Sequence, residues 1–136
     1  MEYILELPLP PTLNEQINSA RTHWTKSASV KKKWTKLIVD RCTDAPQFSG
    51  KLWIAFDWRV KNLGRDPDNI MASAKYIMDG LKNAGVITED SLRVIQSPQI
   101  HNFTKSKEDG VTVRLSDSFE MVIDIFGSLE LPPNNS

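Results

Sequence analysis

At 136 residues and 15.4 kDa the chain holds one domain's worth of sequence, enough to bury a core without disulfides or a structural metal. Its 40% hydrophobic and 25% charged residues are those of a folded globular domain, and 17 basic residues against 17 acidic ones exclude a uniformly basic nucleic-acid coat but not a local basic patch. Cys42 is the only cysteine and His23 and His101 the only histidines, so disulfides and cysteine or histidine metal clusters are excluded. Any metal site must be built mainly of carboxylates, which suit Mg2+ or Mn2+. The opening MEYILELPLPP lacks the basic start and apolar core of a signal peptide, and no apolar run approaches the ~20 residues of a membrane span, so the expected location is the cytoplasm without membrane partners.

Residues 2–7 alternate, with Tyr3, Leu5 and Leu7 on one side, and read as a short strand ended by Pro8, Pro10 and Pro11. A loop is expected through Asn14, Asn18 and Ser19. Residues 16–37 hold no acid but carry Arg21, Lys26, Lys31, Lys32, Lys33 and Lys36. The later part of this stretch is a helix, capped by Ser27 or Ser29, with Val30, Trp34, Leu37 and Ile38 as its apolar stripe. Its lysines are either a solvated face or a DNA surface. Residues 42–50 form a loop. Leu52, Ile54, Phe56 and Trp58 recur at every second position of a strand over residues 51–60, and residues 61–65 make a basic turn around Gly64. A second helix opens at Asp66-Pro67, with Asp66 as N-cap and Pro67 at N1. It runs to about Asn83 on an apolar face of Ile70, Ala74, Ile77, Met78 and Leu81, and Gly85 ends it. Residues 92–96 and 99–103 are strand pieces. Val111, Val113 and Leu115 mark a further strand, paired as a hairpin with a last one over residues 121–126, and residues 131–136 are a frayed tail. No repeat or internal boundary divides the single domain, residues 1–136.

The densest chemical signal is Arg65-Asp66-Pro67-Asp68-Asn69, two carboxylates and an amide at the mouth of a helix. Such a cluster repels itself unless a cation or a donor compensates it. A continuous helix would hold Asp68, Lys75 and Asp79 on one face, and the Glu89-Asp90 pair can fold back toward the helix start. Three carboxylates around a gap suit a hard divalent cation, and a lysine beside them can orient a phosphate oxygen. The residues equally allow a plainer account: Asp66 caps a helix, Asp68 favours its positive end, and Asp79, Glu89 and Asp90 are surface charges. A non-catalytic ion site is the third possibility.

The ordered motifs LPLPPTLNE, RDPDN and KYIMDGLKNAGVITED resemble those of the RusA-like Holliday junction resolvases of bacteria and their phages and prophages, over nearly the whole chain. The resemblance implies an α/β (α+β) fold, a small mixed β-sheet packed with two main helices, working as a homodimer. It implies a metal-dependent endonuclease that cuts four-way junctions in double-stranded DNA, with Mg2+ as cofactor and Mn2+ as its substitute. Asp66, Asp68 and Asp90 match the family's three catalytic, metal-holding acids. Lys75 matches its lysine, Asn69 the motif asparagine, and Arg65 the basic residue before the acids. The lysine departs from the best-known form: it follows Asp68 by seven residues rather than four, as if the helix gained about one turn, ~5.4 Å. Beyond Leu115 the chain is longer than in the shortest members and carries Asp117, Glu120, Asp124 and Glu130. The expected DNA surface comprises Arg21, Lys31, Lys32, Lys33, Lys36, Arg65, Asn69, Lys105 and Lys107. Trp53, pointing opposite Ile54, is a candidate for the dimer contact. A junction-binding protein without catalysis, a nuclease for forks or flaps, and a structural or regulatory protein with an incidental acidic cluster are the alternatives.

Overall fold

The computed structural model describes residues 1–22 and 24–123. In chain order these form β1 (Glu2–Leu7), α1 (Leu13–Thr22), α2 (Trp24–Arg41), β2 (Trp53–Val60), α3 (Pro67–Met71), α4 (Ala74–Asn83), β3 (Ile100–Lys105), β4 (Gly110–Ser116) and α5 (Phe119–Ile123). The sheet order is β1-β4-β2-β3. β4 runs antiparallel to both neighbours, with Leu5 and Phe56 each opposite Val113, and β2 pairs parallel with β3. The result is a small α+β fold on a four-stranded mixed sheet. Alternation puts Leu5, Leu7, Ile54, Phe56, Trp58, Val111, Val113 and Leu115 on one face, where α2 and α4 close the core with Ile38, Ile77 and Leu81. Phe56, Trp58 and His101 stack there nearly parallel, and Trp58 Nε1 donates to His101 Nδ1 at 2.9 Å.

Two glycines are required by geometry. A Cβ on Gly80 would lie 2.6 Å from Ile38 Cδ1 and 2.7 Å from its Cβ and Cγ2, so α2 and α4 meet where one of them has no side chain. Gly85 takes φ of 75°. There the N–H of Val86 reaches Leu81 O and that of Gly85 reaches Lys82 O, the paired bonds that close a helix on a left-handed residue.

Several expectations need correction. The loop expected through Asn14 and Ser19 is α1, opened by Thr12 and Glu15. Thr12 Oγ1 donates to Glu15 Oε1 at 3.0 Å, and Gln16 N–H closes the first turn on Thr12 O. α2 begins at Trp24, so Ser27 and Ser29 lie inside the helix rather than capping it. The single helix expected from Pro67 to Asn83 is two, joined through Ala72 and Ser73 by tight bonds from Ser73 N to Ile70 O and from Tyr76 N to Ser73 O. The cause is distant in sequence: the buried Ser73 Oγ donates to Pro10 O and Pro11 O at 3.0 and 3.1 Å. Gln16 Nε2 bridges Pro11 O and Ala72 O across the same joint. Residues 92–96 are a turn with one bridge, Leu52 to Ile95, not a strand. Met121, Val122 and Ile123 lie in α5, because β4 already has β1 and β2 at its sides and offers no edge to a hairpin partner. The described residues thus hold five helices, three more than the two main ones expected. Trp34 is half-buried rather than core, whereas Trp58 is fully buried. Trp53 packs on Phe119 and donates to Ser97 O while staying partly exposed. His23, Asp124, Glu130, the rest of the expected last strand and the 131–136 tail lie outside the described residues. Among the described residues no helix is long and apolar enough to cross a membrane.

Candidate active site and nucleic-acid interface

The acid-bearing turn is built by the end of β2 and the start of α3. Asp66 has extended backbone (φ −74°, ψ 125°) and serves as N-cap, its Oδ1 accepting the N–H of Asp68 at 2.9 Å, with Pro67 at the first helical position. Capping uses one carboxylate oxygen of Asp66, and both Asp66 and Asp68 are exposed. The plain reading of Asp66 as a cap is therefore correct as far as it goes, and leaves both side chains accessible.

Around this turn the structure gathers cationic groups. Asp109, at the end of the β3–β4 connection, accepts the backbone N–H of Lys61 through Oδ1 (2.9 Å) and pairs with Arg65 Nη1 through Oδ2 (3.1 Å). Ser106 N–H adds a bond to Val60 O at 2.9 Å. The β3–β4 loop bearing exposed Lys105 and Lys107, which passes over the end of β2, is thereby stitched to the turn bearing Lys61, Arg65 and Asp66. Arg65, expected on the DNA surface, is ion-paired and three-quarters covered. Asn69 is engaged as well: its Oδ1 accepts the N–H of Asn14 at 2.9 Å and so fastens the start of α1 to α3.

Lys75 is exposed in the first turn of α4, on the far side of the Ala72–Ser73 joint from Asp68. Asp90 is held above the usual carboxyl range by partial burial and then by the Asp79 carboxylate, against the downward pull of Lys82. Tyr76 is raised the same way, by burial first, then by Asp79 and Glu15. Among the described residues no three His, Cys, Asp or Glu side chains are gathered closely enough to share a metal ion, so Asp66, Asp68 and Asp90 are not drawn into one three-carboxylate group. A cleft of about 320 Å³ lined by Pro11, Glu15, Gln16, Lys26, Val30 and Tyr76 includes none of the three.

The basic stretch lies on the outer surface of α1 and α2, where Arg21, Lys31, Lys32, Lys33 and Lys36 are all exposed. Lys36 meets Asp40 at 2.8 Å, one turn later, which partly neutralises it. Two residues that organise the site give little sign of it in the sequence. Asp109 sits in Lys-Ser-Lys-Glu-Asp-Gly, where the lysines draw attention and the Asp-Gly turn signal is easily passed over. Ser73 lies in the apolar pattern of a helix and gives no signal at all. No protein-family model matches the chain, and no curated protein matches it in sequence.

Proposed function

We propose that the chain is a metal-dependent endonuclease of branched DNA, acting first on four-way junctions and as a two-fold symmetric pair. The observation that carries this reading is the pair of exposed carboxylates, Asp66 and Asp68, at a helix start framed by Lys61, Arg65 and the lysine-bearing β3–β4 loop. An acidic pair inside a cationic rim is what phosphodiester hydrolysis needs: the rim holds the backbone, and the acids serve the reaction. The order of Arg65, Asp66, Asp68, Asn69, Lys75 and Asp90 along the chain, as in the resolvases it resembles, adds to it.

The donor chemistry fits Mg2+, which takes one or two protein carboxylates together with substrate phosphate and water. Asp66 and Asp68 would hold it. When bound, the ion would lower the pKa of a coordinated water and offset charge on the phosphate. The chain's own part is to position the substrate. Arg65 and the lysines of the β3–β4 loop hold phosphates flanking the scissile bond. Lys75 neutralises charge on a non-bridging oxygen. Asp90, the third acid that the resemblance implies, is not gathered with Asp66 and Asp68, and no step is assigned to it. One acidic turn per chain makes one cut, and resolving a four-way junction takes two symmetric cuts, which a two-fold pair supplies.

A second reading, junction binding without turnover, is favoured by the lack of a three-carboxylate group among the described residues. One experiment separates the two. Labelled four-way, forked, flapped and linear DNA are incubated with the protein, with and without Mg2+. Paired cuts in the four-way junction that need Mg2+ and vanish in Asp66→Asn and Asp68→Asn support the endonuclease. Binding without cuts supports the alternative, and cuts confined to forks or flaps redirect the substrate. Asparagine is the suitable substitution at Asp66 because it is an equally good N-cap, so a loss of cleavage reports chemistry rather than folding.

A further inference from the structure

Asp109 is the one acidic side chain that bridges the two loops of the cationic rim among the described residues, and its position is fixed from several directions. Arg59 on β2 pairs opposite Gly110 on β4, so the turn after β2 and the loop before β4 leave the same end of the sheet. A Cβ at Gly110 would stand 2.8 Å from Arg59 Nη2 and 3.2 Å from Leu7 O, which holds the residue after Asp109 close against the sheet. The two oxygens of Asp109 are divided between the Lys61 N–H and Arg65 Nη1. Arg65 immediately precedes Asp66, so holding its side chain restrains the peptide that carries the first acid. The guanidinium has five N–H donors, and Asp109 engages one nitrogen, leaving the rest of a fixed fork for a phosphate.

Resting on the endonuclease reading, we propose that Asp109 is a positioning residue of the site: it orients Arg65 as a phosphate clamp and locks the Lys61–Arg65 turn against the lysine-bearing β3–β4 loop, so that DNA held by that loop is registered on Asp66 and Asp68. This role has a signature that a structural role lacks. A carboxylate in a phosphate-binding rim opposes binding by like charge, while its geometric effect favours turnover. Binding and turnover therefore respond to its removal in opposite directions.

The test uses Asp109→Asn, which keeps size and the acceptor for the Lys61 N–H while removing the ion pair. Junction affinity is measured without Mg2+ over a salt series, and single-turnover cleavage is measured with Mg2+. The expected result is affinity equal to or tighter than wild type, with cleavage slowed by about 10- to 100-fold. Arg65→Lys keeps the charge and the Asp109–Lys61 bond but removes the fork, and the double variant is expected to be no slower than the slower single one, because the pair acts as a unit. If Asp109→Asn melts well below wild type, affinity and cleavage are measured at a temperature well below its midpoint, where slowed cleavage at undiminished affinity supports the proposal. Cleavage by Asp109→Asn at the wild-type rate, or binding and cleavage falling in proportion, overturns it. If wild-type protein cuts no branched DNA, the endonuclease reading fails together with it, a result that requires no variant and is thus distinct from failure of the positioning role alone.

Discussion

Replacing Gly80 with alanine should destabilise the fold even though alanine is the better helix former. The added methyl would sit 2.6–2.7 Å from three carbons of Ile38, against the ~3.5–4.0 Å of a relaxed carbon–carbon approach, so it is about 1 Å too close. Ile38 cannot swing away, because its own Cβ is one of the three atoms and rotation about χ1 leaves Cβ in place. The residue is also fully buried. α2 and α4 must then move apart, opening the core between Ile38, Ile77 and Leu81. Overpacking of this kind costs about 1–3 kcal/mol. Alanine in place of an interior helical glycine returns about 1 kcal/mol. With Ile38 unable to rotate clear, the overpacking cost lies in the upper part of its range, about 2–3 kcal/mol, so the net destabilisation is about 1–2 kcal/mol, which for a chain of 136 residues corresponds to a fall of roughly 3–7 °C in Tm. Urea denaturation and a thermal melt, both followed by tryptophan fluorescence, measure it. A double-mutant cycle locates the cause: Ile38→Ala removes two of the three obstructing carbons, and in that background the penalty for Gly80→Ala should shrink by about 1 kcal/mol or more. Gly80→Ala melting at or above wild type would refute the close approach of the two helices.

Replacing Lys31, Lys32, Lys33 and Lys36 together by alanine should weaken DNA binding at low salt and flatten log K against log salt by about 0.9 for each phosphate no longer neutralised; an unchanged slope removes α2 from the interface. His101 is lowered by burial, so the unfolded chain takes up a proton first. The stability this neutral ring contributes is complete above the unfolded value of about 6.5 and falls away as pH drops toward the lower folded value. Urea midpoints from pH 7.5 to 5 should therefore fall more steeply for wild type than for His101→Gln, and equal slopes would refute the assignment. Sedimentation equilibrium of DNA-free protein across micromolar concentrations should give twice 15.4 kDa, and a persistent monomer would end the preformed pair.

What the sequence made legible was decided near each residue. β1, β2 and β4 could be read because alternation alone sets which side chains meet the core. Asp66 and Gly85 were legible as helix ends because capping depends on immediate neighbours. α1 is hard to read for want of an apolar stripe: Leu13 and Ile17 are exposed, and the remaining signal, threonine three residues before glutamate, is short. α5 passes for a strand because Met121, Val122 and Ile123 are consecutive apolar residues, of which the fold buries only Val122. The Ala72–Ser73 joint could not be read from its own segment, since the carbonyls that engage Ser73 lie 62 and 63 residues away. Asp109 is hidden for the same reason, its partner Arg65 being 44 residues distant. The individual acids and lysines could be named from the sequence; the bonds that bring one rim of them together could not.

The position of β4 bears on how the chain emerges from the ribosome. Of the described strands β1 is made first, yet its one described neighbour in the sheet is β4, and Leu7 pairs with Val111. At roughly 5–20 residues per second, translating the intervening segment takes about 5–20 s. Throughout that interval β1 has no strand to bond, and β2 lacks its antiparallel neighbour. The described sheet is completed from its middle, by the last of its strands to appear. A message broken before the β4 codons therefore yields a product without a sheet centre, not a smaller version of the domain.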